Sequence, residues 1–330
     1  MALFLVRRFL GMALTLVLVS LMVFLIMELP PGDYAERYAF RKFSGTGVAV
    51  TPADIHAIRV EFGLDQPMMI RYWKWITGIV LRGDFGQAYS FLTSVNNVIG
   101  DKVWLTLGLL VATLIITYLV AIPIGLYAAV RRGSAADYGL TVFSYLGLAL
   151  PNFLLALILL YFANRWLGAS IGGLFSDAYK DAPWSLARFW DLVKHLWIPA
   201  FVLAWSAVAY QLQTVRATMS DEIGKLSVTA ARARGLPETR LMVKYPARLA
   251  INPVVSTIGF DVNRIFSELP IVAAVLGLTE LGDLLLKSFL DLDMNVAGAI
   301  LLLITVVIVV MNFVSDILLA WLDPRIRLEG

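Results

Sequence analysis

Long apolar runs alternate with short polar or basic stretches along most of the chain. Six runs reach the roughly 20 residues that a helix needs to cross a hydrocarbon core: residues 9–29, 103–130, 138–162, 196–215, 249–276 and 296–322. The fourth is diluted by Trp205, Ser206, Tyr210, Gln211 and Gln213. The first follows Arg7 and Arg8, as the core of a signal peptide would, but it is too long for one. The "ELPPGD" after it also lacks a small-residue cleavage site, so it reads as an uncleaved span. Residues 30–102 have a different pattern. "TPADIHAIRVEFGL" offers Thr51 as N-cap and Pro52 at the first helical position, and "QPMMIRYWKWITGIVL" reads as a second amphipathic helix. The expected fold is an all-α membrane protein with six transmembrane helices and a helical cap after the first. There is no clear short-period repeat, and no linker marks off a separate soluble domain.

Composition agrees. The chain has 330 residues, 59% hydrophobic and 15% charged, against about 45–50% and about 25% for soluble domains. It has no cysteine, which excludes a disulfide, a thiol catalyst and a Cys-ligated metal. His56 and His195 are its only histidines, too few for a zinc site unless carboxylates join. A net charge of +3 does not imply nucleic acid. The placement of charge says more. With Arg7 and Arg8 inside, the N-terminus, 131–137, 216–248 and the tail hold thirteen Lys/Arg, against five in the short outside segments 164–195 and 277–295. By the positive-inside rule both termini are cytoplasmic and residues 30–102 form an extracytoplasmic cap. Trp73, Trp75, Trp104, Trp166, Trp184, Trp190 and Trp197 fall on outside segments or span edges, where aromatic belts sit.

The most basic stretch is "TAARARGLPETRLMVKYPARLAINP", Thr229 to Pro253. Ala230, Ala231, Arg232, Ala233 and Arg234 favour a helix, and Gly235 suits the left-handed residue that ends one. Pro237 suits the first turn of a new helix, with Glu238 near its positive end. Pro246 and Pro253 limit that helix. The expected form is two short helices meeting at a glycine and lying along the membrane. Ala230, Ala231, Ala233 and Gly235 would let another backbone come close, while the basic residues face lipid head groups or an acidic partner. The alternative is an ordinary basic loop in contact with anionic lipid.

A second concentration of charge lies inside the fifth run. "GFDVNRIFSELP" carries Asp261, Arg264 and Glu268 on one helix face, where Arg264 can pair with both acids. A charge at mid-bilayer costs about 2.5–3.5 kcal/mol, so these groups should face protein or a water-filled path. They are candidates for lining such a path, where they would touch polar solute. The competing reading is an ion pair that locks this helix to another subunit. No nucleophile–base pair or metal set accompanies them, so the chain is not expected to be an enzyme. Asn312 and Asp316, one turn apart, suit interhelical hydrogen bonds. Asp323 and Arg325 suit a cap after the last span, and Pro123, Pro151 and Pro199 suit kinks.

Residues 229–255 resemble the cytoplasmic EAA-type loop of ABC importer permeases, with an Ala pair, Gly four residues after it, and a second helix ending near Pro. The form is that of the peptide/nickel permeases. "LPPGD" (29–33), "FGLDQP" (62–67), "LRGDFGQAY" (81–89), "IPIGLYAAVRRGS" (122–134), "LALPNFLLAL" (148–157), "WIPAFVLA" (197–204) and "NFVSDILLAWLDPRIR" (312–327) resemble the same family in the same order. Thr229 stands where the family has the Glu of its EAA name, Tyr245 where it often has His, and "GLTELG" (277–282) where it has a Trp-Pro-Gly-type turn.

The resemblance implies a type I ABC importer permease fold in a bacterial inner membrane. Residues 1–102 would hold the first span and the cap, 103–322 the permease core with its loop 216–248, and 323–330 a cytoplasmic tail. It also implies a second permease subunit, two cytoplasmic ATPase subunits, an extracytoplasmic solute-binding protein and surrounding lipid. Thr229, Ala230, Ala231, Arg232, Ala233, Arg234, Gly235 and Leu236 would then couple the permease to the ATPase. No G-x-x-x-x-G-K-[ST] stretch is present. ATP and Mg are therefore expected on the partner ATPases, and no cofactor in this chain. The implied solutes are short peptides, with oligosaccharides or nickel as alternatives. A secondary transporter driven by an ion gradient would predict an internal inverted repeat, which the chain does not show, and would leave 216–248 without a role.

Overall fold

In hydrocarbon each backbone N–H and C=O must bond within its own segment, so apolar runs become helices. The computed structural model describes residues 2–29, 34–44, 49–167, 172–180 and 182–322. The tail with Asp323 and Arg325, and "LPPGD" beyond Leu29, lie outside the described residues. The helices are α1 (Ala2–Glu28), α2 (Tyr34–Phe43), α3 (Pro52–Glu61), α4 (Met68–Thr77), α5 (Val95–Val130), α6 (Ala135–Ala149), α7 (Asn152–Phe162) and α8 (Leu186–Ile223). They continue as α9 (Leu226–Ala233), α10 (Glu238–Met242), α11 (Arg248–Ala250), α12 (Asn252–Ser256), α13 (Ile258–Leu276), α14 (Leu281–Leu290) and α15 (Met294–Leu322). A two-residue antiparallel ladder, β1 (Gln87–Ala88) with β2 (Thr93–Ser94), is a strand feature that the all-helical expectation did not include.

By length and composition, Leu5–Glu28 of α1 and helices α5, α8 and α15 are each able to cross a membrane. Two pairs of shorter helices, α6 with α7 and α13 with α14, pass the same test if each pair is one span, so the total is four to six. The apolar run 138–162 is thus not one rod. Its two helices meet at 101°. The cause is Pro151, which pushes the residue before it out of helical backbone: Leu150 is extended, at φ −89° and ψ 119°.

The chain divides into two compact units. The core unit comprises Met1–Phe9, Thr106–Thr279 and Ile308–Gly330. Its centre is α8, where Ala200, Leu203, Ala204, Ala207 and Leu212 are buried. Small residues let the helices come close. A Cβ on Gly147 would lie 2.6 Å from that of Ala209, and one on Gly125 would lie 2.8 Å from that of Val215. At one end of α6, Asp137 is 1% exposed. Its Oδ2 accepts from Arg216 Nη2 and from the Gly133 backbone N–H, both at 2.9 Å.

The cap unit comprises Leu10–Leu105 and Glu280–Val307. Thr51 and Asp54 form the capping box that starts α3, with Pro52 in its first turn as the sequence predicts. Ala35, Ala39 and Ile58 form a small core between α2 and α3, ringed by Tyr38 and Phe62. Helix α4 is held to α1 by Ser20 and Tyr72, whose hydroxyls are 2.9 Å apart, and by the bidentate pair of Arg71 with Glu28. The hairpin is tied to the start of α15, where Asp293 Oδ2 accepts from the Ser90 N–H at 2.7 Å and Asn295 donates to the Gln87 carbonyl at 2.9 Å.

Candidate functional site

The basic stretch forms a bent element within the core unit. Helix α9 ends at Ala233, Gly235 takes the left-handed conformation at φ 79°, and α10 starts at Glu238 after Pro237. A π-helical turn, Val243–Ala247, follows and takes up Pro246. One face of the elbow is apolar and anchored. Val228, Ala231, Leu241, Met242, Ala247 and Ala250 pack with Ala129 of α5 and Met219 of α8. The other face is open, with Thr229, Ala230, Arg232, Ala233, Arg234 and Gly235 exposed and Leu236 half-buried.

The residues singled out in the sequence therefore divide. Ala231 is part of the anchor, while its neighbours form the accessible surface. Leu226 and Val243, 87% and 71% exposed, add apolar contact area that sequence reasoning missed. An exposed clasp spans the glycine. Arg232 Nη2 and Nε donate to Glu238 Oε1 and Oε2 at 2.7 and 3.1 Å. Through that hydrogen bond Arg232 holds the Glu238 carboxyl below the usual carboxylate range. This surface offers small residues, exposed apolar side chains and fixed positive charge, which suits a groove in another protein.

The charges of α13 do not form the ion triad that their spacing allows. Asp261 is fully buried, and its Oδ2 accepts from Tyr118 of α5 at 2.8 Å and from Gln211 of α8 at 2.6 Å. Gln211 also donates to Thr257 at 2.8 Å. Glu268 accepts from Asn152, at the start of α7, which reaches Ser206 and the Leu203 carbonyl at 3.3 Å. Arg264 makes neither intrahelical pair. Its guanidinium lies 5.0 Å from the Tyr210 ring centroid, and Nη1 is 3.5 Å from the Ser206 carbonyl. The carboxylates bond instead to neutral donors on neighbouring helices, and Asp261 Oδ1 stays buried without a partner among the described residues.

Three partners in this network were not singled out as site residues in the sequence. Gln211 reads there as a polar dilution of an apolar run and Asn152 as part of a motif, and Tyr118 falls within the second run without a reading of its own. The usable signal was the cost of burying an unpaired polar group in hydrocarbon, which demands that each find a partner. Asp316 meets Arg8 of α1 at 3.2 Å, an interhelical polar contact of the kind expected, while Asn312 lies against Gly259 of α13.

Residues 121–328 match the family described as binding-protein-dependent transport system inner membrane component. Residues 1–110 match a second family, described as the N-terminal part of a binding-protein-dependent transport system membrane component. The chain is similar to the oligopeptide transport system permease protein AppB of Bacillus subtilis, at 31% identity over 328 residues that cover 99% of this chain and 100% of that protein. It is also similar to the glutathione transport system permease protein GsiC of Salmonella typhimurium, at 29% identity over 325 residues, 98% of each chain.

Proposed function

The chain belongs to the binding-protein-dependent transport system inner membrane component family, and from that premise we propose that it imports short peptides as half of a translocation pathway. It is a multi-pass membrane permease subunit of an ATP-driven ABC importer. The peptide reading is supported by the two relatives, one named for oligopeptides and one for glutathione, itself a short peptide. In this reading the fold is the type I permease fold. Six spans place both termini in the cytoplasm and the cap outside, with divisions at 1–102, 103–322 and 323–330. A second permease completes the pore, two ATPase subunits dock from the cytoplasm with ATP and Mg, and a solute-binding protein delivers peptide.

The observation that carries this reading is the elbow, anchored on one face and open on the other. Thr229, Ala230, Ala231, Arg232, Ala233, Arg234, Gly235 and Leu236 form the coupling surface. Nucleotide-driven closure of the ATPases shifts the permease only if the docked contact differs between its two states. An element fixed to α5 and α8 through Val228 and Ala231 passes such a difference directly to both helices. Arg264 and Glu268, both half-buried, line the pathway for the peptide's charged ends, and Asp261 supports them from the interior.

Because the chain has no cysteine, Ala230→Cys introduces a single attachment point. A crosslinker placed there in native membranes is expected to capture a nucleotide-hydrolysing subunit, and peptide with its binding protein should stimulate ATP hydrolysis by the complex. Capture of lipid alone would overturn the coupling assignment.

A further inference from the structure

The cap unit contains a cavity of about 500 Å³, within the usual range of roughly 300–1,000 Å³ for small-molecule sites. Its lining comes from α1, the turn after α3, helix α4, the hairpin and the start of α15. Arg71 and Glu28 line it but neutralise each other through two hydrogen bonds. That leaves Lys74 and Arg82 as cations and Glu61 and Asp84 as acids, all four exposed and none in an ion pair among the described residues. Two further lining residues each leave a buried polar atom without a partner: Gln66 Oε1, an acceptor, and Trp75 Nε1, a donor. Burial pushes the Tyr34 and Tyr89 phenols up to about 12, so both line the cavity as neutral groups.

Charges of both signs beside aromatic and apolar walls suit a ligand that carries both signs and an apolar group. We propose that this cavity binds a small zwitterion with an apolar or aromatic side chain, such as a free amino acid or dipeptide. The ligand carboxylate meets Lys74 and Arg82, its ammonium meets Glu61 and Asp84, and Phe24 and Trp75 receive its side chain. The choice of a peptide-like ligand rests on the transport reading above. The site shares no residue with the coupling elbow or with the polar groups of α13.

The test is equilibrium dialysis of the full chain, purified in lipid nanodiscs without ATPase or binding protein, against radiolabelled Ala-Phe. Saturable binding is expected, with a loss of about tenfold or more, roughly 1.4 kcal/mol, when the peptide is amidated at its C-terminus or acetylated at its N-terminus. The pair Lys74→Gln with Arg82→Gln should lose affinity for Ala-Phe and become indifferent to amidation. Absence of saturable binding, or equal binding of Ala-Phe and its capped forms to the wild-type chain, overturns the proposal without depending on whether the variants fold. Because no ATPase is present, this result is independent of whether peptide stimulates ATP hydrolysis by the complex.

Discussion

Asn312 occupies the space beside Gly259. A Cβ built on Gly259 would lie 1.6 Å from Asn312 Oδ1, well inside any tolerable contact. This is why α13 and the last third of α15 can pack at that level, and it gives the polar Asn312 a place against helix backbone. Gly259→Ala is therefore expected to destabilise the purified protein by about 1–3 kcal/mol through overpacking. A thermal-unfolding shift in detergent reads the effect. Adding Asn312→Ala should restore part of the loss, and a double variant no better than Gly259→Ala alone would contradict the contact.

Asp137 and Arg216 form a second fixed point. Asp137 is almost wholly buried and takes two donors, one of them the Arg216 guanidinium. Removing the cation leaves a buried carboxylate uncompensated, which typically costs about 3–5 kcal/mol. Arg216→Ala should therefore lower expression and thermal stability far more than Arg234→Ala, on the exposed face of the elbow. Similar stabilities for the two variants would show that the pair does not hold α6 to α8.

The elbow was legible in the sequence because its signals are local. Alanines, a glycine able to take φ 79° and a following proline specify two short helices wherever they are placed. The split of its residues into an anchored and an open face was not legible, because it depends on Ala129 and Met219, about a hundred and about ten residues away in sequence. The charges of α13 show the same limit. Spacing alone put Asp261, Arg264 and Glu268 on one face and allowed ion pairs. In the structure the carboxylates meet Tyr118, Gln211 and Asn152 on other helices instead. Pro151 announced a kink, but its size, 101°, could not be read from the sequence.

Gly235 separates backbone strain from crowding. A Cβ there would meet nothing within 4 Å, yet the residue sits at φ 79°. A side chain in the left-handed region costs roughly 1–2 kcal/mol for an L-residue, more when β-branched. Gly235→Ala should weaken coupling mildly and Gly235→Val strongly, while both proteins still reach the membrane. The readout is transport per ATP hydrolysed in proteoliposomes. Unchanged coupling in Gly235→Val would remove the elbow from the mechanism.

The buried network distinguishes support from solute contact. Asp261→Asn replaces an acceptor of two hydrogen bonds with a group that must present an N–H somewhere in the same buried space, an unsatisfied arrangement worth about 1–3 kcal/mol. It should lower stability without altering which peptides are carried. Glu268→Gln keeps the shape and much of the bonding to Asn152, so the complex should assemble normally while its preference among peptides of different terminal charge changes. Competition transport assays with free and N-acetylated peptides read that preference. If Glu268→Gln loses assembly and keeps wild-type selectivity, Glu268 serves packing alone.

The Arg232–Glu238 clasp predicts a particular pH dependence. Arg232 holds the Glu238 carboxyl below its ordinary value, so the folded elbow favours the charged form. Whatever the clasp contributes is fully present above the ordinary carboxylate range and is lost only as pH falls through the depressed folded value. Coupling should therefore be flat across neutral pH and fall only in acid. Both partners are exposed, so salt should weaken the clasp as well. Glu238→Gln removes the carboxylate at every pH, and should give at neutral pH the reduced coupling that the wild type shows only in acid. The matched measurement is the ratio of peptide uptake to ATP hydrolysis for both proteins over an acid-to-neutral series. A wild-type ratio that declines across the neutral range would assign the sensitivity to another group.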